Sequence, residues 1–311
     1  MLNKNNSIRK SEFKYKIIKP HSKQKYIFLG GIFHLISRIT KRDFVFIDLY
    51  CGEGLCKCDL GEGKISDEEI LGSPLLLLEK FNEEPYKKYL KRFYCNDKDK
   101  KKIDNLRHWI NTKHPNLKDK IKYLQLDAKS VWKNIKSELL PNQGIIIIID
   151  PDNISQMLSY KLLKEMAGFS YKDFLKKSSF YRRPELIINF MQYGLTRSWE
   201  SISSNKLAEI TGISITEIED LRVEKRGKEF ADSILNKYKS NIAGLGYKTV
   251  ISYPVLNVEN LTDIYHIILA SNHPSAPKLY QKITDWAEKT KSLNILTEKA
   301  HKKGDRTLDE F

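Results

Sequence analysis

Residues 44–54 of this 311-residue chain read Phe44-Val45-Phe46-Ile47-Asp48-Leu49-Tyr50-Cys51-Gly52-Glu53-Gly54. An apolar run ends in an acid, and two glycines follow one residue apart. Such a run is typical of a strand that helices cover on both faces. Glycines after the strand let the backbone turn sharply and approach a ligand closely. The pattern predicts a nucleotide-like cofactor at Asp48, Gly52 and Gly54, although glycine pairs also occur in ordinary strand-to-helix turns.

Four more apolar runs follow, and helical patterns fill the gaps between them. Three of them, at residues 92–97, 122–127 and 145–150, again end in an acid, and the fourth lies at 186–190. Strands that alternate with helices predict an open parallel sheet, in which ligands bind beyond the carboxyl ends of the strands. One site is therefore expected to gather the acids at four strand ends, which are Asp48, Asp97, Asp127 and Asp150.

Each of these acids also has a simpler interpretation. Aspartate is a favourable N-cap and turn residue, because its carboxylate accepts from the free N–H groups of a following helix. Any single acid is therefore as consistent with a cap as with a ligand contact. The same alternative holds for Asp150-Pro151-Asp152-Asn153, which is compatible with a turn that has an Asx cap. Only the repetition at four strand ends favours a shared site.

The order of the acids resembles that of class I S-adenosylmethionine-dependent methyltransferases. The resemblance implies S-adenosylmethionine as the cofactor. It implies that Gly52 and Gly54 lie against the cofactor and that Asp48, the acid at the glycine loop, helps to hold the methionine ammonium. It further implies that Asp97 accepts hydrogen bonds from the ribose hydroxyls and that Asp127 meets the adenine amino group.

Residues after the fourth strand would then face the group that receives the methyl. Asp150 is the candidate acceptor or base, and Asn153 has a side-chain carbonyl that could bind an amino group. Amino-methyltransferases usually place an aromatic residue here, which stacks on a flipped base or planar amide. Asp152 and Asn153 replace that aromatic residue. Methyl transfer to a base nitrogen is therefore less well supported than cofactor binding.

Further segments narrow the resemblance to a family. They are residues 46–54, Gly72-Ser73-Pro74-Leu75, Asp150-Pro151, Leu195-Thr196-Arg197 and Tyr265-His266-Ile267-Ile268-Leu269-Ala270-Ser271-Asn272-His273-Pro274. Over roughly residues 26–286 the chain resembles the three-Cys-motif partner family, TcmP. That family is similar to class I methyltransferases and is encoded beside a radical-SAM-like three-cysteine protein, which the resemblance implies as a partner. The loop departs from the family's usual D-L-F-A-G-P-G, since Glu53 adds a negative charge beside the expected cofactor carboxylate.

The charge balance predicts an acidic partner. The net charge is +15 and the isoelectric point is about 9.4. Basic residues interleave with aromatic ones, which could stack on nucleic-acid bases, in residues 1–26 and before the fifth strand. The predicted nucleic-acid-binding residues are Lys14, Lys16, Lys19, Lys23, Lys25, Lys176, Lys177, Arg182, Arg183 and Arg197. DNA and RNA are not distinguished, and a merely solvated lysine-rich surface is the alternative.

Composition argues against several other classes. No apolar run approaches the length of a membrane span, and the polar start Met1–Asn6 is unlike a signal peptide. A cytoplasmic protein without membrane contact is therefore expected. Four cysteines in so long a chain do not suggest a disulfide framework. Cys51, Cys56 and Cys58 lack the spacing and the adjacent histidine of a zinc site, so no metal is expected.

The predicted fold class is α/β, a Rossmann-like class I methyltransferase sheet of parallel strands with an antiparallel edge pair at 247–255 and 265–270. The predicted domains are a basic arm (1–25), the Rossmann-like domain (26–194 and 247–290), a helical insertion (195–246) and a charged tail (291–311). Residues 59–71, rich in glycine and acids, are predicted as a loop, and Ser73 as the N-cap of a helix.

Three functions are compatible with these features. The first is methyl transfer from S-adenosylmethionine to a nucleic acid. The second is a non-catalytic partner protein that keeps the fold. The third is a magnesium-dependent phosphoryl hydrolase that uses Asp48, Asp150 and Asp152. The hydrolase is disfavoured because the glycine loop fits an organic cofactor better and no nearby Lys or Thr completes a phosphatase set.

Overall fold

The computed structural model describes residues 15–39, 43–140, 143–169, 183–257 and 262–303. Its strands are β1 (Lys16–Ile18), β2 (Phe44–Asp48), β3 (Leu55–Gly61), β4 (Lys64–Leu71), β5 (Leu90–Asn96), β6 (Ile121–Leu124), β7 (Gly144–Ile149), β8 (Glu185–Phe190), β9 (Thr249–Leu256) and β10 (Asp263–Ser271). Its helices are α1 (Pro20–Ile39), α2 (Ser73–Asn82), α3 (Lys100–Lys113), α4 (Ala128–Ile135), α5 (Tyr160–Ala167), α6 (Gln192–Ser198), α7 (Ser204–Thr211), α8 (Ile215–Glu224), α9 (Gly227–Gly244) and α10 (Ala276–Lys303).

The main sheet has seven strands in the order β6-β5-β2-β7-β8-β10-β9. The pairings among β6, β5, β2, β7 and β8 are parallel, whereas β10 is antiparallel to both β8 and β9. Counted within this sheet alone, the order is 3-2-1-4-5-7-6. This is the sheet of a Rossmann-like class I methyltransferase fold, so the predicted fold class and the antiparallel edge pair are confirmed.

The isoleucine run of β7 lies at the centre of this fold. Ile145, Ile147 and Ile149 belong to one hydrophobic core, whereas Ile146 and Ile148 belong to the other. Successive side chains of a strand point to opposite faces of the sheet. A strand with helices on both faces therefore needs an apolar side chain at every position, which explains the uninterrupted run.

The helices divide between the two faces of the sheet. α1, α2, α3 and α10 contribute to the core that contains Ile146, and α4 to α9 contribute to the core that contains Ile145. Segment 195–246 is helical as predicted, but its buried side chains share a core with the sheet. α1 begins at Pro20, and α10 continues to Lys303 through part of the predicted tail. The division into domains stays a prediction.

A second, three-stranded sheet was not predicted. It has the order β1-β3-β4, with β1 parallel and β4 antiparallel to β3. The prediction of a loop at 59–71 is wrong, because most of this segment forms the hairpin of β3 and β4. Its turn uses left-handed backbone at Gly61, Glu62 and Gly63. Cys56 and Cys58 pack in a small core with Ile18 and Ile70.

Candidate cofactor site

A cavity of about 280 Å³ opens at the carboxyl ends of β2, β5, β6 and β7. Ligands of parallel α/β sheets bind at this edge, and small-molecule sites begin at about 300 Å³. The predicted cofactor-binding and catalytic residues that line the cavity are Gly52, Gly54, Asp97, Asp127 and Asp150, and Lys16, which was predicted to bind nucleic acid, lines it too. The structure therefore brings together residues from four separate strand ends, as the sequence predicts.

The glycine loop forms one wall of the cavity. Gly52 has a φ of 65° and Gly54 a φ of 87°, values that residues other than glycine rarely adopt. A Cβ atom at Gly54 would lie 2.6 Å from Leu106 Cδ1, which is too close for both atoms. At Gly52 a Cβ atom would meet nothing within 4 Å. The left-handed backbone therefore favours glycine at position 54, where a Cβ atom would also force the Leu106 side chain to shift. Gly52 leaves its backbone uncovered beside open space, which suits a closely bound ligand.

Asp48 lies behind the cavity wall and does not line it. The carboxylate is fully buried, where it accepts from Tyr50 N at 3.1 Å and from Ser73 Oγ at 2.7 Å. The predicted contact between Asp48 and the cofactor is therefore wrong for the side chain, which instead holds the loop to α2. The predicted cap is also wrong, because Gly72 is the N-cap of α2 and the Ser73 hydroxyl donates to Asp48.

Burial raises the pKa of Asp48 from 3.8 to about 7, although the hydrogen bonds from Ser73 and Tyr50 lower it. A raised folded pKa means that the carboxyl contributes fully to stability below pH 3.8 and that this contribution is lost as the pH rises to about 7. We expect the free energy of unfolding to fall by roughly 2.5 kcal/mol more between pH 5 and pH 8 in the native protein than in Asp48→Asn. Urea unfolding at both pH values measures this, and equal falls in the two proteins would contradict it.

Asn96 organises the cavity, and sequence reasoning missed it. Its Nδ2 donates to Leu49 O at 3.0 Å and to Leu126 O at 3.1 Å, and its Oδ1 accepts from Leu126 N at 3.0 Å. One buried amide therefore ties together the segments that follow β2, β5 and β6. No sequence signal marks it, because a buried amide is recognised by its partners and not by its neighbours in the chain.

Asp97 and Asp127 follow β5 and β6, and both line the cavity. Asp97 Oδ1 accepts from Asp99 N at 2.9 Å, and its Oδ2 lies 3.6 Å from Lys102 Nζ. Asp127 Oδ1 accepts from Lys129 N at 2.9 Å and so caps α4. Asp127 therefore caps a helix and also lines the cavity, and its contact with a ligand stays a prediction.

The residues after β7 depart most from the roles that the sequence predicts for them. Asp150 Oδ2 accepts from Lys25 Nζ at 2.7 Å, and its Oδ1 accepts from Asn189 Nδ2 at 2.7 Å. Asn153 does not line the cavity, and its Oδ1 accepts from Gln156 N and Ser155 Oγ at the start of a 3-10 turn. The prediction that Asn153 faces the methyl acceptor is therefore wrong, and the alternative of an Asx cap describes this residue.

Asp152 lines the cavity in place of Asn153. It pairs with Lys16 Nζ at 2.8 Å and lies 3.7 Å from Lys102 Nζ. Burial alone would raise the pKa of Asp152, but the charge of Lys16 and then that of Lys102 bring it below its ordinary value. Lys102 lies between Asp97 and Asp152, so it links the residues after β5 and β7 across the cavity.

The described lysines of the predicted arm each pair with an acid. Their distances are 2.8 Å for Lys16 to Asp152, 2.6 Å for Lys19 to Asp59, 2.7 Å for Lys23 to Glu68 and 2.7 Å for Lys25 to Asp150. Positive charge that a neighbouring acid neutralises attracts phosphate less strongly. The structure therefore weakens the case for these four residues as phosphate contacts.

Of the remaining predicted nucleic-acid-binding residues, the structure describes Arg183 and Arg197, and neither lines the cavity. Arg183 precedes β8, at the edge of the sheet opposite the cavity, and its guanidinium donates to Ala167 O and Leu245 O. Arg197 lies on α6, where its guanidinium carbon is 5.6 Å from the centre of the Tyr193 ring. The predicted residues outside the described ranges are Lys14, Lys176, Lys177 and Arg182.

The described part of the chain offers no set of three His, Cys, Asp or Glu side chains that could hold a metal ion. Asp48 bonds to Ser73, Asp150 to Lys25 and Asp152 to Lys16. The three acids of the hydrolase alternative therefore have separate partners and do not form one centre. Among the described helices, none is both long and apolar enough to cross a membrane.

Comparison with known proteins assigns the chain to no family. No family model and no curated protein matches the chain, so membership of the TcmP family is not confirmed. Among solved structures, a Legionella pneumophila protein of the DUF519 family matches with a TM-score of 0.47 and 11% identity, over 85% of this chain and 90% of that chain. The methyltransferase domain of a bacterial Hen1 protein matches with a TM-score of 0.39 and 13% identity, over 81% and 99%.

A third solved structure comes from Streptococcus mutans and is assigned as a methyltransferase in complex with SAH. It matches with a TM-score of 0.34 and 14% identity, over 81% of this chain and 99% of that chain. The strand order, and not these distant matches, places the chain in the class of methyltransferase-like Rossmann folds.

Proposed function

We propose that the protein binds S-adenosylmethionine in this cavity and transfers its methyl group to a nucleic acid. The observation that carries the proposal is the meeting of the glycine loop, Asp97 and Asp127 around one cavity at the carboxyl ends of β2, β5 and β6. Bare backbone at Gly52 and separate carboxylates at two neighbouring strand ends suit a ligand that combines a charged end, a ribose and a base.

S-adenosylmethionine, when bound, supplies an electrophilic methyl group on its sulfonium. The protein's part is to bind and to orient. Asp97 would accept from the ribose hydroxyls, and Asp127 would face the amino group of the adenine. Lys25 and Asn189 hold both oxygens of Asp150, which fixes the carboxylate in the cavity wall beside the glycine loop. Asp152, at the same edge and half exposed, is then the carboxylate best placed to orient an acceptor.

The nucleic-acid substrate is the second element of the proposal. Its support is the net charge of +15. Segment 195–246 does not contribute to this charge, because it has eight basic and eight acidic residues. The excess positive charge therefore lies outside the helical segment. α8 exposes Glu219, Asp220 and Glu224, so this helix is unsuited to contact phosphates.

A second candidate function is a non-catalytic partner of a radical-SAM-like three-cysteine enzyme. One observation favours it. Both oxygens of Asp150 accept hydrogen bonds, and Asn153 caps a turn, so the two residues predicted for chemistry are engaged elsewhere. A protein that keeps the cofactor site without a free base after β7 would bind without transferring.

Calorimetric titration followed by a transfer assay distinguishes the two candidates. We expect the native protein to bind S-adenosylmethionine and to transfer its labelled methyl to DNA or RNA. Asn153→Ala should retain this activity, because its side chain only caps a turn. Binding without labelling of any nucleic acid would reject the methyltransferase and support the partner protein. No binding would reject the cofactor itself.

Salt dependence tests which basic residues meet nucleic acid. Residues 1–14 contain Lys4, Arg9, Lys10 and Lys14. We expect their removal to reduce the slope of log affinity against log salt by roughly 1 for each phosphate that these residues neutralise. Lys19→Ala and Lys23→Ala are the controls, because these lysines pair with Asp59 and Glu68 and should leave the slope unchanged. An unaltered slope after removal of residues 1–14 would show that this charge does not contact phosphate.

A further inference from the structure

Tyr193 is a large aromatic side chain that the fold leaves exposed. It lies in the first turn of α6, directly after β8, and it is 40% exposed. Gln192 and Leu195 on the packed side of the same helix are buried, so α6 packs without the Tyr193 ring. Within the described part of the chain, no group forms a hydrogen bond with the Tyr193 hydroxyl. The ring therefore contributes little to the fold and is accessible to a ligand.

Arg197 lies one turn further along α6 and contacts this ring. Its guanidinium carbon is 5.6 Å from the centre of the Tyr193 ring, and no described carboxylate forms an ion pair with it. The four described lysines of the predicted arm are each paired with an acid, whereas Arg197 is not neutralised in this way. A planar guanidinium binds phosphate well, and an exposed aromatic ring stacks on a base. The two side chains together therefore suit the base and the phosphate of one nucleotide.

The position of Tyr193 relates it to the cofactor cavity. Asn189, near the end of β8, donates from Nδ2 to Asp150 Oδ1 at 2.7 Å, and Asp150 lines the cavity. Tyr193 follows Asn189 by four residues, which span at most about 14 Å of chain. A nucleic-acid strand advances roughly 3.4 Å for each nucleotide, so about four nucleotides cover that distance. Tyr193 itself does not line the cavity, so the ring suits a base that flanks the methyl acceptor and not the acceptor itself.

We propose that Tyr193 stacks on an unpaired base that flanks the methyl acceptor and that Arg197 binds the phosphate beside that base. This proposal rests on the proposed function, for which it names the form of the substrate as a single strand or an unpaired segment. Bases inside a duplex are stacked on their neighbours, so their faces are not free for a side chain. Stacking on an aromatic ring needs no particular base. The pair would therefore position the strand without selecting its sequence.

Fluorescence anisotropy with labelled strands tests the proposal. The probes are a thymidine DNA strand and a uridine RNA strand of about 16 nucleotides, each with a partner strand of the same length that lacks the bases. We expect the native protein to bind at least one base-carrying strand about fivefold or more tightly than its baseless partner. Tyr193→Ala should lose that preference, and Tyr193→Phe, which keeps the ring, should retain it.

A second tyrosine with a cation on its ring supplies the matched control. Lys88 Nζ lies 5.2 Å from the centre of the Tyr89 ring, but Tyr89 precedes β5 and so lies at the edge of the sheet opposite the cavity. Tyr89→Ala should therefore keep the preference for strands with bases. Tyr193→Ala should also bind S-adenosylhomocysteine as the native protein does, because Tyr193 does not line the cavity. That binding shows that the variant is folded.

The outcomes separate this inference from the proposed function. Equal affinity of the native protein for strands with and without bases overturns the stacking role and leaves the nucleic-acid substrate in place, and this comparison needs no variant to fold. A preference that survives in Tyr193→Ala, or that Tyr89→Ala loses equally, overturns it as well. Arg197→Ala should lower the slope of log affinity against log salt by roughly 0.7, and an unchanged slope removes Arg197 from the phosphate. If the native protein binds no strand, the nucleic-acid substrate fails, and the role of Tyr193 fails with it.

Discussion

Asp150→Ala is expected to lower the free energy of unfolding by about 3 kcal/mol, because it leaves the buried ammonium of Lys25 without its partner. The two side chains are only 11% and 15% exposed, and Lys25 Nζ lies 2.7 Å from Asp150 Oδ2. The same substitution removes the oxygen acceptor of Asn189 Nδ2 and leaves it only the Met191 sulfur at 3.7 Å. Lys25 also contacts the rings of Tyr26 and Tyr265, which hold it in place without neutralising it. Urea unfolding of the native protein and the variant at one pH measures the loss.

A double-mutant cycle isolates the pair from other effects. Lys25→Met keeps the volume of the lysine stem and removes its charge, so Lys25→Met with Asp150→Ala should cost less than the sum of the single variants. An exposed pair supplies the control. Lys113 and Glu69 are 2.9 Å apart but are 32% and 46% exposed, so Glu69→Ala should cost less than about 1 kcal/mol. A loss in Asp150→Ala as small as in this control would contradict the burial of the Lys25 charge.

The central sheet was predictable because burial on two faces leaves a signal in composition. A strand such as β7, which faces a core on each side, can hold only apolar residues, and its ends are marked by the first polar ones. The acids at 48, 97, 127 and 150 alone therefore predict the carboxyl edge of the sheet.

The small sheet was not predictable for the converse reason. β4 exposes most of its side chains, so it shows no apolar alternation from which a strand is recognised. Its turn residues Gly61 and Gly63 are equally typical of a loop. β1 has three residues and pairs with β3 across a long stretch of chain. Pairing of this kind is decided by tertiary contacts, which a local stretch of sequence does not reveal.

The sequence predicted the position of the candidate site at the carboxyl edge of the sheet. It did not predict which residue of each loop lines the cavity. Capping residues and ligand-binding residues are the same residue types, so sequence could not separate Asn153, which caps, from Asp152, which lines the cavity. Nor could it show that Asp48 turns inward to Ser73. The partners of Lys16 and Lys25 lie more than a hundred residues away in sequence, and their neutralisation appears only in the folded chain.

Asp97→Ala is expected to weaken binding of S-adenosylhomocysteine about a hundredfold. Asp97 is 8% exposed, lines the cavity and stands between the glycine loop and Asp127, where a ribose would lie. A hydrogen bond to a charged group contributes roughly 1.5 to 3 kcal/mol, and a hundredfold loss corresponds to about 2.7 kcal/mol. Asp97→Asn keeps the size of the side chain and an acceptor for Asp99 N, so it should lose less. Calorimetry gives the dissociation constants.

A ligand without the 2′-hydroxyl assigns the loss to the ribose. If Asp97 accepts from that hydroxyl, the native protein should bind the deoxy ligand more weakly, and Asp97→Ala should no longer distinguish the two ligands. Asp104→Ala, on the exposed face of α3 beside Arg107, should preserve the native preference. Unchanged affinity in Asp97→Ala would remove Asp97 from the site. A loss that is equal for both ligands would instead mean that Asp97 acts through Lys102, whose Nζ lies 3.6 Å from its carboxylate and links it to Asp152.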